Sequence, residues 1–245
     1  MVVNAAAYYF VDVADPGALA LVLGERAEAG ELRGIVLVAG EGINLFLAGS
    51  EAAVLDFFGL LRFDPRFSGI RVKLSRSKAV PFRRLKVKVK PEIIGFRRDG
   101  ASPLPARAPA VAPATLARWL EQGCDDAGRR VVMLDTRNRE EVGYGSFGNA
   151  LTLPIDNFTD LPQALAPHRE SLADATVVSF CTGGIRCEKA ALWMRDSGMD
   201  NVLQLDGGIL GYFEEVGGFG YEGRCFVFDQ RVALDPALAP LVDGE

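Results

Sequence analysis

Ala175-Thr176-Val177-Val178-Ser179-Phe180 runs directly into Cys181-Thr182-Gly183-Gly184-Ile185-Arg186-Cys187-Glu188-Lys189, and residues 188 to 197 continue at helical spacing. A short apolar run bounded by turn residues reads as a buried strand, and the segment after the glycines reads as a helix. Gly183 and Gly184 have no Cβ, so the loop between them can take positive φ. It can then aim successive backbone N–H groups inward, backed by the positive end of the helix. Such a cradle binds anions. A cysteine sulfur at its centre has its thiolate stabilised by those donors, by the helix terminus and by Arg186, which lowers its pKa and makes it reactive near neutral pH. Cys181 is the candidate nucleophile, with Thr182, Gly183, Gly184, Ile185 and Arg186 as the loop around it.

Working outward, residues 115–122 read as a helix ended by Gly123, 131–135 as a buried strand, 150–153 as a short strand, 161–172 as a helix and 202–205 as a last strand. Strands alternating with helices imply a parallel α/β sheet over 114–224, with ligands at the C-terminal ends of the strands. Residues 225–245 form a short C-terminal extension. Residues 99–113 contain Pro103, Pro105, Pro109 and Pro113 and almost no large apolar side chain, the composition of a semi-rigid linker.

Ahead of that linker, YYFVDV at 8–13 reads as a strand. Residues 16–29 read as a helix opened by Asp15 and closed by Gly30, followed by strands at 34–39 and 43–47 around a glycine turn. A second helix follows Ser50, and extended segments are expected at 70–74 and 85–89. The order β-α-β-β-α-β is that of a ferredoxin-like split sandwich over residues 1–98.

The chain has 245 residues, 49% apolar and 24% charged, with only four cysteines, which excludes a disulfide-built secreted mini-protein. No basic leader precedes an apolar run, and no stretch approaches the ~18 apolar residues of a membrane span, so a cytoplasmic protein with no membrane partner is expected. The net charge of −5 conceals an asymmetry: residues 62–98 hold thirteen Lys/Arg against Asp64 and Glu92. Arg83, Arg84, Lys86, Lys88 and Lys90 are the candidate contacts to a polyanion such as RNA, because clustered cations release counterions on neutralising phosphates. The alternation of Leu85, Val87 and Val89 with Lys86, Lys88 and Lys90 equally fits the solvated face of a half-buried strand. Both readings stay open on sequence alone.

The loop resembles that of the rhodanese domains, in which a strand-ending cysteine is followed by four residues and an arginine. The related phosphatases have five, and at that offset this chain has Cys187. Residues 134–138, 145–150 and 205–209 are also similar to rhodanese strand-and-turn signatures. Glu41-Gly42-Ile43-Asn44, residues 181–190, Gly207-Gly208-Ile209 and residues 225–232 together resemble one bacterial family, the rhodanese-containing tRNA uridine hydroxylases. Glu140, Gly143 and Tyr221 stand where that family often has Tyr, an acidic residue and Trp. The resemblance implies an acylphosphatase-like (ferredoxin-like) domain before a rhodanese-like one, and oxygen-dependent 5-hydroxylation of the wobble uridine of tRNA. It also implies molecular oxygen as co-substrate and Cys181 as the essential residue.

His168 is the sole histidine, so a two-histidine-one-carboxylate iron site cannot be built, and no closely spaced cysteine pairs offer a zinc site. Nucleotide-binding glycine fingerprints are absent as well, so no metal or nucleotide cofactor is expected. A rhodanese-type sulfurtransferase passing sulfane sulfur through a Cys181 persulfide is the alternative enzyme, and an idle interaction module a third reading. Cys187 is read as packing or as a disulfide partner of Cys181, Cys124 and Cys225 as structural, and Asp135 and Arg137 as scaffold. Arg186 is expected to hold the cradle, or to pair with a carboxylate such as Asp135.

Overall fold

In a computed structural model, residues 1–243 are described, and they fall into two compact units. The first comprises residues 1–95, rejoined late in the chain by residues 228–232 and 239–243; the second comprises residues 96–227 and 233–238.

In the first unit the strands are β1 (Val2–Phe10), β2 (Arg33–Ala39), β3 (Gly42–Gly49), β4 (Val72–Ser77) and β5 (Leu85–Val89). They lie in the order β4-β1-β3-β2-β5, antiparallel except for β5, which runs parallel to β2. Helix α1 (Pro16–Ala29) starts where Asp15 accepts the Ala18 N–H, and α2 (Glu51–Arg62) where Ser50 accepts that of Ala53. Both caps satisfy orphan N–H groups of a first turn. The inward faces of both helices bury Leu23, Ala27, Val54, Phe57 and Phe58 with Val36, Val38, Leu45 and Leu47 of the sheet. The split βαββαβ sandwich is therefore present, with β5 as an added edge strand.

β1 occupies residues 2–10 rather than 8–13. Its alanines carry no strand signature, but Val3, Ala5 and Ala7 alternate as buried positions of a central strand paired on both sides. On β5, Lys86 and Lys88 are exposed, as is Lys90 just after it, while Leu85 and Val87 pack against the core.

In the second unit, β6 (Ala110–Val111), β7 (Val131–Asp135), β9 (Leu151–Thr152), β10 (Thr176–Phe180) and β11 (Val202–Leu205) form a parallel sheet in the order β6-β11-β10-β7-β9. Around it stand α3 (Pro113–Gln122), α4 (Arg139–Tyr144), α5 (Leu161–Leu165), α6 (Arg169–Leu172), α7 (Ile185–Asp196) and α8 (Gly208–Glu215). Short strands β8 (Gly145–Phe147) and β12 (Tyr221–Gly223) pair antiparallel, as do β13 (Cys225–Phe226) and β14 (Ala233–Leu234). The single helix expected at 161–172 is broken by a 3₁₀ turn at Ala166–His168, because Pro167 supplies no N–H to continue the ladder.

Residues 99–113, read as a linker, are packed. Ala101 and Ala108 are buried in the core, Ala110 and Val111 form the edge strand, and the Arg107 guanidinium pairs with the buried Glu188 carboxylate. Small side chains let this prolyl segment lie close to the sheet where large ones would not fit. Of the expected extension 225–245, residues 225–243 are divided between the units and the last two lie outside the described residues. In the first, Arg231 is held by Asp229 at 2.6 Å and donates to Ser75 Oγ at 2.6 Å.

Candidate active site

β10 is the middle strand of the parallel sheet, and all five of its residues are buried. It therefore delivers Cys181 to the carboxyl edge of the sheet, between the starts of two helices. α7 begins at Ile185, three residues earlier than the spacing suggests, because Gly184 at φ +97° turns the chain straight into its first turn. Gly184 alone takes positive φ in the loop; Gly183 does not, and a Cβ there would meet open space. The Gly184 N–H donates to the Cys181 sulfur at 3.2 Å.

The loop is held from the other side by α8. Ile209 N–H donates to the Cys181 carbonyl at 2.9 Å and Leu210 N–H to that of Thr182 at 3.0 Å. Gly208, at φ +64°, makes this approach possible: a Cβ there would stand 2.5 Å from both the Cys181 oxygen and the Gly184 nitrogen. The sequence turn Gly207-Gly208 is thus part of the site.

Arg186 does not pair with Asp135. Its guanidinium forms a bidentate ion pair with Glu141, Nη1 to Oε2 and Nη2 to Oε1, both at 2.6 Å. Asp135 pairs instead with the wholly buried Arg137 at 2.6 Å and accepts from Ser146 Oγ at 2.7 Å, as a scaffold. Glu141 is fully buried, so desolvation works against its charge, but Arg186 outweighs that and holds the carboxyl below the ordinary value. Sequence reasoning passed over Glu141. Its only local signal was Asn138-x-x-Glu141, a capping box that α4 does form; its partner lies 45 residues away.

Cys181 is wholly buried. Burial opposes its ionisation, yet the Cys187 thiol, the Arg186 guanidinium and the N–H groups of Arg186 and Cys187 outweigh it and hold the Cys181 thiol well below its usual range. Cys187, in the first turn of α7, is pushed far upward by burial and by the Cys181 thiolate beside it. Cys187 is thus a proton-bearing donor toward Cys181, and its own sulfur lies 3.6 Å from Thr136 Oγ1. Both thiols are free, as are Cys124 and Cys225, and burial lifts the Cys225 thiol to about 12. Thr182 Oγ1 lies 3.3 Å from Glu141 Oε1 and 3.5 Å from the Phe226 carbonyl, tying the loop to α4 and β13. The ensemble is one ionised sulfur in a polar cradle whose nearest cation is already neutralised by a carboxylate.

Ile185 is buried in the helix start, so Cys181 to Arg186 form one connected structure. Arg83, Arg84, Lys86, Lys88 and Lys90 belong to the first unit and stand along β5 and immediately before and after it. Among the described residues, none of these five makes an ion pair, whereas Arg66 and Arg76 are paired with Asp64 and Glu51.

Two family descriptions match the chain, a UPF0176 acylphosphatase like domain over residues 2–93 and a rhodanese-like domain over residues 114–215. Proteins named tRNA uridine(34) hydroxylase match it from end to end. That of Xanthomonas campestris pv. campestris (strain 8004) is 67% identical over 244 residues, 100% of this chain and 96% of the relative. That of Xanthomonas euvesicatoria pv. vesicatoria (strain 85-10) is 66% identical over 245 residues, covering 100% and 99%, and that of Xylella fastidiosa (strain M23) is 61% identical, covering 99% and 95%. With an acylphosphatase-like unit, a rhodanese-like unit bearing an intact cysteine loop, and identity at this level over its whole length, the chain belongs to the family of the tRNA uridine(34) hydroxylases.

Proposed function

We propose that the protein hydroxylates uridine 34 of tRNA at C5, with molecular oxygen as co-substrate and Cys181 as the essential residue. The observation that carries this reading is the identity of 61–67% to proteins of that name over essentially the full chain. The site is chemically suited to it. A thiolate poised at neutral pH can add to C6 of a uracil, forming the S–C6 bond and driving the C5=C6 electron pair toward O4, which leaves C5 electron-rich; one atom of O2 then ends on C5 and the other leaves as water with two electrons from an external donor, and loss of the C5 proton breaks the S–C6 bond and restores C5=C6. The target is a neutral ring, and the Glu141–Arg186 pair leaves the cradle without the unbalanced cation that an anionic sulfur donor would seek. That favours the hydroxylase over the sulfurtransferase.

The first unit supplies the RNA grip in this reading. Lys residues on an edge strand also discourage edge-to-edge pairing, which is the bland account of β5. Three lysines and two arginines in eight residues without a carboxylate partner among the described residues exceed what that purpose needs. They form a track for phosphates of the anticodon arm, whose loop bases can be splayed out for chemistry.

Isotope labelling tests the reaction. Cells grown under ¹⁸O₂ should carry the label in the 5-hydroxyl of wobble uridine derivatives in a manner that depends on this protein. Label entering from water instead would contradict the oxygen-dependent reading.

A further inference from the structure

Two rings beside the cysteine loop have no part in the chemistry above. Tyr144 ends α4, three residues after Glu141 and so on the same side of that turn. Its ring centre lies 5.2 Å from that of Phe226 on β13, the planes tilted by 47°. The other rings of this region, Phe147, Phe180, Tyr212 and Tyr221, are buried in an edge-to-face cluster, whereas Tyr144 keeps 36% of its surface and Phe226 is half-buried. Short links join the pair to the loop. The Phe226 carbonyl lies against Thr182 Oγ1, Glu141 of the same helix holds Arg186, and the Tyr144 carbonyl accepts from Arg224 N–H at 2.8 Å, which fixes the approach to Phe226. Among the described residues the Tyr144 hydroxyl makes no hydrogen bond.

An enzyme acting on a base in RNA must take that base out of its stack and replace what it loses, and aromatic side chains do this for any base because every base has a π-face. The cradle itself offers no free ring or plane: Phe180 is buried, and the Arg186 guanidinium is locked against Glu141. We propose that Tyr144 and Phe226 form the seat on which the uracil ring stacks when it is presented to Cys181, a reading that rests on the tRNA function proposed above. Phe226 supplies an apolar face. Tyr144 supplies a second face and a hydroxyl free to bond a carbonyl of the pyrimidine or an oxygen of its ribose.

The test uses the full chain and an anticodon stem-loop RNA carrying 5-iodouridine at position 34, irradiated in complex. Crosslinks should fall on Tyr144 or Phe226, found by peptide mass spectrometry. Tyr144→Ala and Phe226→Ala, the latter keeping the backbone carbonyl that meets Thr182, should each raise KM for tRNA by about tenfold, as loss of a stacked base does, with a smaller change in kcat. Tyr144→Phe should keep most of the affinity, and Tyr144→Leu, of similar bulk without a π-face, should not. An iodinated stem-loop that binds but crosslinks only outside these two residues, while the same stem-loop with uridine at position 34 is hydroxylated, overturns the seat and leaves the function standing. Unchanged KM in both alanine variants does the same. RNA that the wild-type protein neither binds nor modifies overturns the function and the seat together.

Discussion

Arg186 and Glu141 meet through two 2.6 Å bonds, with the arginine side chain 10% and the carboxylate 0% exposed. The pair joins the first turn of α7 to α4 and so fixes the cysteine loop against the rest of the second unit. Removing one partner of such a pair strands the other as a buried charge, at about 3–5 kcal/mol. Glu141→Ala should therefore lower unfolding stability by about that amount in urea denaturation. Replacing both residues, Glu141→Leu with Arg186→Met, should recover part of it; a double variant no more stable than the single one would show that the ion pair is not the reason.

Arg186 also acts on the sulfur. Because the thiolate is the reactive form and its pKa lies below the usual thiol range, ionisation is complete at neutral pH and is lost only as the pH falls through the depressed value. Arg186→Gln removes a cation that favours the thiolate, so the titration should move to higher pH. Thiolate absorbance in the far ultraviolet, taken as the difference from Cys181→Ser, reads this directly. A downward or absent shift would mean that the N–H donors and Cys187 hold the charge unaided.

Glycines in and around the loop are not equivalent. Gly208→Ala places a methyl 2.5 Å from backbone atoms of the loop at φ +64°, so modification should be lost, while Gly183→Ala meets open space and should leave folding intact. Circular dichroism alongside activity separates the two outcomes. Equal tolerance of both substitutions would refute the role given to α8.

Replacing Lys86, Lys88 and Lys90 together should leave the fold unchanged, since all three side chains are exposed. It should weaken tRNA binding and flatten its salt dependence, the log–log slope falling by ~0.7 to 0.9 for each phosphate no longer neutralised. Filter binding over a salt series measures this, and an unaltered slope would place the RNA surface elsewhere.

The parts of the molecule legible in the sequence are those whose causes are local. Asp15 and Ser50 cap the helices that begin beside them, the run at 175–180 is the central strand, and Leu85 and Val87 face inward with the lysines outward. Cys181 stands at the junction of strand, loop and helix that its neighbours in sequence imply. The features that escape such a reading depend on partners distant in sequence. The alanines of β1 are a strand because two neighbours pair with them, residues 99–113 pack because a buried Glu188 receives Arg107, and Glu141 matters because Arg186 comes to it across 45 residues. Nor could spacing reveal that Cys187 is placed as a donor toward Cys181, since that depends on Gly184 starting α7 early.

The most direct measurement is nucleoside mass spectrometry of tRNA from a strain lacking this protein and any second route to the modification, complemented with wild type or with Cys181→Ala. Wild type should restore 5-hydroxyuridine-derived nucleosides at position 34, whereas Cys181→Ala should restore none although the purified variant still binds tRNA. Restoration by Cys181→Ala, or wobble uridine that is modified to the same extent without the protein, would contradict the account.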